Sequence, residues 1–112
     1  MKMKPKIGIT IGDYNGIGPE VTLKALRNKK ILKLCNPIVI IDKSLLDKFD
    51  RNLDERIKFN LRKNKVQIKP GKPTLLSGKA SLDYINEGIN LIKDKNIDCL
   101  VTAPISKTAI SL

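Results

Sequence analysis

Short runs of β-branched apolar residues alternate along the chain with stretches in which apolar residues recur at helical spacing. Residues 7–11 alternate Ile with smaller residues between turn signals and predict a buried strand. Residues 19–28 predict an amphipathic helix with Pro19 at its first position, where the missing N–H costs nothing. The core side of this helix is expected to consist of Val21, Thr22, Leu23, Ala25 and Leu26.

The middle of the chain begins with a clear strand and then becomes less regular. Residues 38–42 form a continuous apolar run that predicts a strand covered on both faces, as in a parallel sheet. Residues 44–49 and 53–61 each predict a short helix, and residues 66–68 predict a short strand ended by a Pro-Gly turn. Because residues 51–78 separate the two parts with the clearest patterns, this range is predicted to be a variable insertion or connection.

The last third of the chain predicts a helix, a strand and the start of another helix. Residues 73–78 are expected to form a loop, and Ser81 is expected to cap the helix that follows. Residues 97–101 predict a strand, and residues 106–112 predict the beginning of a further helix. The core-facing stripe of the first helix is expected to be Leu82, Ile85, Ile89 and Ile92.

This order of elements predicts the α/β class, with a mainly parallel sheet, flanking helices and right-handed crossovers. At 112 residues, the chain is expected to form a single domain over residues 1–112. No apolar run is long enough to span a bilayer and no signal-peptide core follows the basic start, so a cytoplasmic location is expected. Cys35 and Cys99 lack metal-site spacing and are expected to be small buried apolar residues.

A net charge of +11 raises the question of an anionic partner. Aromatic residues make up 4% of the chain, which supplies few stacking platforms for nucleic acid. The basic residues are also spread along the chain rather than gathered into one block. The charge therefore favours a small anionic substrate over nucleic acid.

Two loops are candidates for a ligand site, because ligands gather at the carboxyl ends of parallel strands. The glycine-rich loop after the first strand contains one carboxylate, Asp13, and the loop after the last strand contains Thr102, Ser106 and Lys107. The alternative is that the first loop is a tight connection and Lys107 a solvated surface residue. The chain contains no histidine, so neither a histidine base nor a metal ligand is assigned, and no catalytic residue is named.

The segments at residues 12–20 and 101–107 together resemble two motifs of the 4-hydroxythreonine-4-phosphate dehydrogenases. The first reads Gly-Asp-Tyr-Asn-Gly-Ile-Gly-Pro-Glu, where the family has Gly-Asp-Pro-Ala-Gly-Ile-Gly-Pro-Glu. The second resembles the Thr-Gly/Ala-Pro-(Val/Ile)-x-Lys segment of the family, with Ser106 where His or Asn is usual. The matching positions are Gly12, Asp13, Gly16, Gly18, Pro19, Glu20, Thr102, Pro104 and Lys107.

The resemblance implies an incomplete isocitrate/isopropylmalate-dehydrogenase-like fold, formed by the N-terminal portion of a longer homodimeric enzyme. Such enzymes use NAD and a divalent metal (Zn, Mg or Co) to oxidise and decarboxylate 4-phosphooxy-L-threonine, a phosphorylated amino-acid substrate, in pyridoxal phosphate biosynthesis. The metal-binding histidines of the family lie beyond the matched part. We therefore expect no metal site in this chain and no activity from it alone. The matched glycines, Pro19, Glu20 and Pro104 are interpreted as structural; Asp13, Thr102, Ser106 and Lys107 are substrate or supporting candidates.

Two alternatives remain open at this level. One is a small basic α/β module that binds an anionic ligand or nucleic acid without catalysis. The other is a relative that acts on a different phosphorylated hydroxy acid, which the departures at Tyr14, Asn15 and Ser106 leave open. If the chain is a fragment of the longer enzyme, a parallel sheet that normally continues would expose an apolar edge and favour self-association.

Overall fold

The computed structural model describes residues 3–49 and 52–112; residues 1, 2, 50 and 51, which the predicted domain and connection include, lie outside the described residues. The strands are β1 (Lys6–Thr10), β2 (Asn36–Asp42), β3 (Lys58–Arg62) and β4 (Cys99–Thr102). The helices are α1 (Gly18–Ala25), α2 (Lys29–Leu34), α3 (Lys43–Leu46), α4 (Leu75–Lys93) and α5 (Lys107–Ile110).

The four strands form one parallel sheet in the order β3-β2-β1-β4. The α/β class with a parallel sheet and flanking helices is therefore confirmed. Val39, Ile40 and Ile41 of β2 are fully buried, as expected for a strand covered on both faces. β3 falls inside the range predicted as an insertion and joins the sheet through β2; that the range is variable stays a prediction.

The first predicted helix is wrong at its C-terminal end. α1 runs from Gly18 to Ala25, and a separate helix, α2, follows. Asn28 divides them, because its backbone is extended and its side chain caps α2 by accepting a hydrogen bond from the Lys30 N–H at 2.9 Å. Val21 and Ala25, expected in the core, are exposed.

The helix predicted at residues 53–61 is also wrong, because β3 occupies Lys58–Arg62. Phe59 and Leu61 alternate with polar residues, and Phe59 is level with Val39 of β2. Residues 66–68 form no strand, although Val66 and Ile68 are half-buried against the core. The short apolar runs of this stretch fit the spacing of a helix as well as that of a strand, and the structure forms a strand where the run pairs with β2.

The start of α4 lies six residues before the predicted cap at Ser81. Thr74 is the cap: its hydroxyl accepts a hydrogen bond from the Ser77 N–H at 3.1 Å, and the Ser77 hydroxyl accepts one from the Thr74 N–H at 3.1 Å. This reciprocal capping box replaces the loop that was predicted at residues 73–78.

The core-facing side of α4 is not the predicted stripe. Leu82, Ile89 and Ile92 are 43%, 40% and 41% exposed. The buried side of α4 instead consists of small and polar residues together with one aromatic residue, and Gly78 among them lies against the backbone of α5. These buried positions are Ser77, Gly78, Ala80, Ser81, Tyr84 and Gly88.

The two cysteines differ in exposure. Cys35 is buried, as expected, but Cys99 is exposed at the start of β4, so the prediction for Cys99 is wrong. Cys99 is exposed because β4 is an edge strand with β1 on one side.

Candidate functional site

The glycine-rich loop and the loop after β4 touch each other at the carboxyl edge of the sheet. The Asp13 N–H donates a hydrogen bond to the Pro104 carbonyl at 2.9 Å. Gly12 has φ of +71°, and a Cβ there would lie 2.2 Å from the Pro104 carbonyl oxygen. Only glycine at position 12 therefore permits the backbones of the two loops to lie this close, so the two motifs are in direct contact.

Asp13 organises the loop in which it lies. Its Oδ1 accepts a hydrogen bond from the Asn15 N–H at 2.9 Å, and its carbonyl accepts one from the Gly16 N–H at 3.0 Å. The side chain is half-buried and Gly16 is exposed. One carboxylate oxygen of Asp13 thus serves the turn, which makes Asp13 a structural residue of the loop as well as a candidate ligand group.

The connection to α1 is a tight strand-to-helix turn. A Cβ on Gly18 would lie 1.9 Å from the Ile11 carbonyl oxygen, so the helix starts in direct contact with the end of β1. Pro19 is buried in the first turn, one position later than expected, and Glu20 is exposed there. Gly18 and Pro19 are therefore part of the tight connection, and the structural role of Glu20 stays a prediction.

The three polar candidates of the second loop lie in different environments. Thr102 is exposed at the end of β4, level with Thr10 of β1. The Ser106 hydroxyl accepts a hydrogen bond from the Ala109 N–H at 3.1 Å and so caps α5. Lys107 is exposed as the first residue of α5, immediately after the loop that contacts Asp13. Lys107 is therefore the cation that this loop presents.

A third segment, not predicted from the sequence, joins the site through Asn15. The Asn15 Oδ1 accepts a hydrogen bond from the Lys69 N–H at 2.7 Å, and its amide nitrogen donates to the Lys72 carbonyl at 3.0 Å. The Gly71 N–H donates to the Asn15 carbonyl at 2.7 Å. Pro70 and Gly71, with φ of +73° at Gly71, form the centre of a type II turn that this side chain holds.

A signal for this contact was present in the sequence. Asn15 departs from the alanine of the motif, and a buried amide in a tight loop needs partners for both of its polar atoms. At 4% exposure, Asn15 finds them in the backbone of residues 69–72. The sequence alone could not say which segment supplies them.

A buried polar cluster lies behind the loops. The Ser81 hydroxyl donates to the Gly12 carbonyl at 3.0 Å, which fixes the glycine-rich loop to α4. The Tyr84 hydroxyl donates a short hydrogen bond to Asp42, and the Asn64 N–H donates to the same carboxylate at 2.6 Å. Burial, followed by the hydrogen bond to Asp42, raises the pKa of Tyr84 far above its usual value.

Two other buried hydroxyl groups lack hydrogen-bond partners. Among the described residues, the side-chain hydroxyls of Thr10 and Tyr14 have no hydrogen-bond partner. Burial raises the pKa of Tyr14. Tyr14 therefore packs as an aromatic core residue where the motif has proline.

An ion-pair network ties β3 to α4. Arg62 donates to Asp83 at 3.1 Å and to Glu87 at 2.8 Å, and the Asn64 amide donates to Asp83 at 3.0 Å. The hydrogen bond from Arg62 is the main cause of a lowered pKa at Asp83. Arg62 thus balances carboxylates and does not add to the positive field of the loops.

The described residues do not fit a metal ion. Residues 3–49 and 52–112 contain no cluster of three or more His, Cys, Asp or Glu that could hold one, and the sequence has no histidine. We therefore derive no chemical step through a metal. Among the helices of the described residues, none is both long and apolar enough to cross a membrane. The two loops contribute one carboxylate, Asp13, and are followed by one exposed cation, Lys107.

Comparisons with known proteins agree on one family. The family model described as "Pyridoxal phosphate biosynthetic protein PdxA" matches residues 33–112, which include the second loop. A relative from Oceanobacillus iheyensis, provisionally named D-threonate 4-phosphate dehydrogenase, is 33% identical over 98% of this chain and 39% of its own length. The 4-hydroxythreonine-4-phosphate dehydrogenase of Desulforapulum autotrophicum is 31% identical over 97% of this chain and 38% of its own length.

Solved structures extend the similarity to the fold. A 4-hydroxythreonine-4-phosphate dehydrogenase from Burkholderia phymatum superposes with a TM-score of 0.83 at 28% identity, over 98% of this chain and 39% of that one. A terephthalate 1,2-cis-dihydrodiol dehydrogenase from Burkholderia xenovorans shares the fold at 22% identity, with a TM-score of 0.80, over 97% of this chain and 37% of that one. The chain spans about two fifths of the length of the curated relatives it matches.

Proposed function

The chain belongs to the PdxA family of pyridoxal phosphate biosynthetic proteins, and from this premise we propose that it forms part of an NAD- and metal-dependent dehydrogenase. The enzyme oxidises and decarboxylates 4-phosphooxy-L-threonine to an aminoketone phosphate. In this proposal the complete enzyme is a cytoplasmic homodimer. This chain supplies the glycine-rich loop and the loop with Lys107, and it is inactive alone.

The observation that carries the proposal is the hydrogen bond between Asp13 and Pro104. It joins the two segments that match the family motifs, which are 91 positions apart in the chain. A pair of loops matched in sequence and fitted to each other through glycine supports a shared site at this edge of the sheet.

In the proposal, the residues of this chain bind and orient the substrate. Lys107 binds the phosphate or carboxylate of the substrate as a point charge, and Asp13 holds the loop that faces it. NAD accepts the hydride. NAD and the divalent metal (Zn, Mg or Co) are assigned to the part of the family fold that this chain does not span. No proton transfer is assigned to the described residues.

A second substrate is favoured by the Oceanobacillus iheyensis relative, which is provisionally named for D-threonate 4-phosphate. The two substrates differ at carbon 2, where threonine has an ammonium group and threonate a hydroxyl group. The departures from the motif at Tyr14, Asn15 and Ser106 leave room for either. Both substrates present the same phosphate and carboxylate to Lys107.

Chimeric enzymes test the proposal. This chain replaces the matching segment in the relatives from D. autotrophicum and O. iheyensis, and NADH formation is followed with each substrate in the presence of Zn²⁺, Mg²⁺ or Co²⁺. We expect turnover of 4-phosphooxy-L-threonine in both chimeras and none from this chain alone. A preference for D-threonate 4-phosphate in both chimeras would identify the second substrate. A folded chimera that forms no NADH with either substrate, together with a salt-dependent gel shift of this chain, would favour the non-catalytic module instead.

Lys107 gives a sharper test within these chimeras. Lys107→Gln is expected to raise KM for the phosphorylated substrate roughly 10- to 150-fold, because a charge-assisted hydrogen bond to the anion is lost. Lys43→Gln is the matched control, since Lys43 is also exposed and begins α3 directly after β2. Equal KM values for the two variants would contradict the role of Lys107.

A further inference from the structure

The turn at residues 69–72 carries two lysines beside the glycine-rich loop. Lys69 and Lys72 are the first and last residues of this turn, and both side chains are exposed. The Lys69 N–H donates to the Asn15 side chain at 2.7 Å, and the Lys72 carbonyl accepts from it at 3.0 Å. Asn15 lies two residues after Asp13, whose N–H contacts the loop that precedes Lys107. The structure therefore brings two further cations to the edge of the sheet where the two motif loops meet.

Positive charge dominates the surroundings of these lysines. Residues 57–82 contain no Asp or Glu. Within residues 3–49 and 52–112, neither Lys69 nor Lys72 forms an ion pair, whereas Arg62 of the same range is paired with carboxylates of α4. The glycine-rich loop contributes one carboxylate, Asp13, which Lys69, Lys72 and Lys107 outnumber. An anion at this edge would therefore meet a net positive field.

Asn15 gives the turn a fixed position. Its side chain is buried, and both of its polar atoms are used on the backbone of the turn. Gly71 has φ of +73°, and a Cβ there would meet no atom within 4 Å, so the surface over the centre of the turn is open. A bulky anion can approach such a backbone closely. Because the turn is already ordered, binding to it costs less conformational entropy.

We propose that the turn at residues 69–72 is a phosphate-binding subsite, in which Lys69 and Lys72 bind the anion and Asn15 is the positioning residue. The N–H groups of Lys69, Gly71 and Lys72 already have acceptors within the chain, so the lysine ammonium groups supply the binding as point charges. The inference deepens the proposed function, on which its choice of a phosphorylated ligand rests. A phosphorylated substrate and a dinucleotide both carry this group.

Amide chemical shifts of the 112-residue chain, followed by two-dimensional NMR during titration with inorganic phosphate, test the subsite. We expect the largest shifts at Lys69, Gly71 and Lys72. Parallel titrations with 4-phosphooxy-L-threonine and with NAD identify the source of the phosphate, because the ligand that uses the subsite shifts the same amides. Shifts spread evenly over the lysines of the chain would overturn the proposal, as would binding of inorganic phosphate without either organic ligand.

Two double variants separate the subsite from the general charge of the chain. Replacing Lys69 and Lys72 together by Gln is expected to raise the Kd for phosphate about 3- to 10-fold, and replacing both by Arg is expected to retain binding. Replacing Lys63 and Lys65 by Gln is the matched control, since both are exposed in the same acid-free range but lie outside the turn. At about 0.15 M salt, screening limits the effect of the control to less than about twofold. Equal weakening by the two glutamine pairs would contradict a specific subsite.

Asn15→Ala separates positioning from charge. This variant retains both lysines, and thermal melting confirms that it is folded. We expect the Kd for phosphate to rise about 2- to 5-fold, because the turn must be ordered when the anion binds. An unchanged Kd, together with faster hydrogen exchange at the Lys69 amide, would overturn the positioning role.

These titrations measure binding without turnover, so their failure is distinct from a failure of the proposed reaction. A chimera that forms NADH while no phosphate binds at the turn would overturn the subsite alone. Phosphate binding at the turn of a folded chimera that forms no NADH would support the subsite and count against the reaction.

Discussion

At the level of single residues, Asp42 is the most constrained carboxylate that the structure describes. It is fully buried at the end of β2 and accepts hydrogen bonds from the Tyr84 hydroxyl and the Asn64 N–H. A buried carboxylate is tolerated only when donors of this kind surround it. Tyr84 therefore supports the core through its hydroxyl group as well as its ring.

Two tyrosine variants separate these contributions. Tyr84→Phe is expected to lower the free energy of unfolding by about 1–3 kcal/mol, because the Asp42 carboxylate loses a buried donor. Tyr14→Phe is expected to change it by less than about 0.5 kcal/mol, since the Tyr14 hydroxyl has no hydrogen-bond partner among the described residues. Urea denaturation measures both, and equal losses in the two variants would contradict the role of Asp42.

At the level of elements, Asn15 joins the glycine-rich loop to the turn at residues 69–72. Asn15→Ala is expected to speed hydrogen exchange at the Lys69 amide and to lower the free energy of unfolding by about 1–2 kcal/mol, because the Lys69 N–H loses its acceptor and the Lys72 carbonyl loses its donor. Asn15→Asp is the matched variant, which keeps the acceptor for Lys69 and loses the donor to Lys72. The free energy of unfolding of Asn15→Asp is expected to lie between that of the unmodified chain and that of Asn15→Ala. Unchanged exchange in Asn15→Ala would show that the turn is held by other contacts.

The elements also show what the sequence could and could not predict. β1, β2 and β4 were predicted because their apolar runs are uninterrupted or clearly bounded. β3 was missed because its alternation is short and lies among charged residues, and only pairing with β2 resolves it. The buried face of α4 was misassigned because Gly88 and Ser81 permit close packing, whereas the larger Leu82 and Ile89 remain outside.

The candidate site was predictable to a similar extent. The sequence identified the two loops that contact each other, because both follow strands, whereas the roles of Asp13 and Lys107 stay predictions. The hydrogen bonds of Asn15 to residues 69–72 span more than 50 positions, so no local pattern reports them.

At the level of the whole molecule, the chain contains 22 basic and 11 acidic residues, and Arg62 forms ion pairs with two of the acidic ones. Protonation of these carboxylates leaves the positive charges without their partners. The molecule is therefore expected to be sensitive to acid.

The lowered pKa of Asp83 predicts the direction in which stability changes with pH. Because the pKa is lower in the folded than in the unfolded chain, the stabilisation is fully present above about pH 4 and is lost as the pH falls through the folded value. Asp83→Asn is expected to cost roughly 0.5–1 kcal/mol at pH 7, after allowance for solvent screening, and little near pH 2. Asp94→Asn, exposed at the end of the same helix, is the control in urea titrations across this range. A constant difference between Asp83→Asn and the unmodified chain at all pH values would contradict the assignment.

The position of β1 between β2 and β4 has a consequence for synthesis on the ribosome. β1 can pair with β2 once residues up to Asp42 have been synthesised. The hydrogen-bonding groups on the other side of β1 have no partner until β4, which ends at Thr102, has been synthesised. Synthesis of the roughly 60 intervening residues takes about 3–12 s at 5–20 residues per second. During this interval the nascent chain exposes one side of its central strand, and this is the period in which a chaperone would protect it.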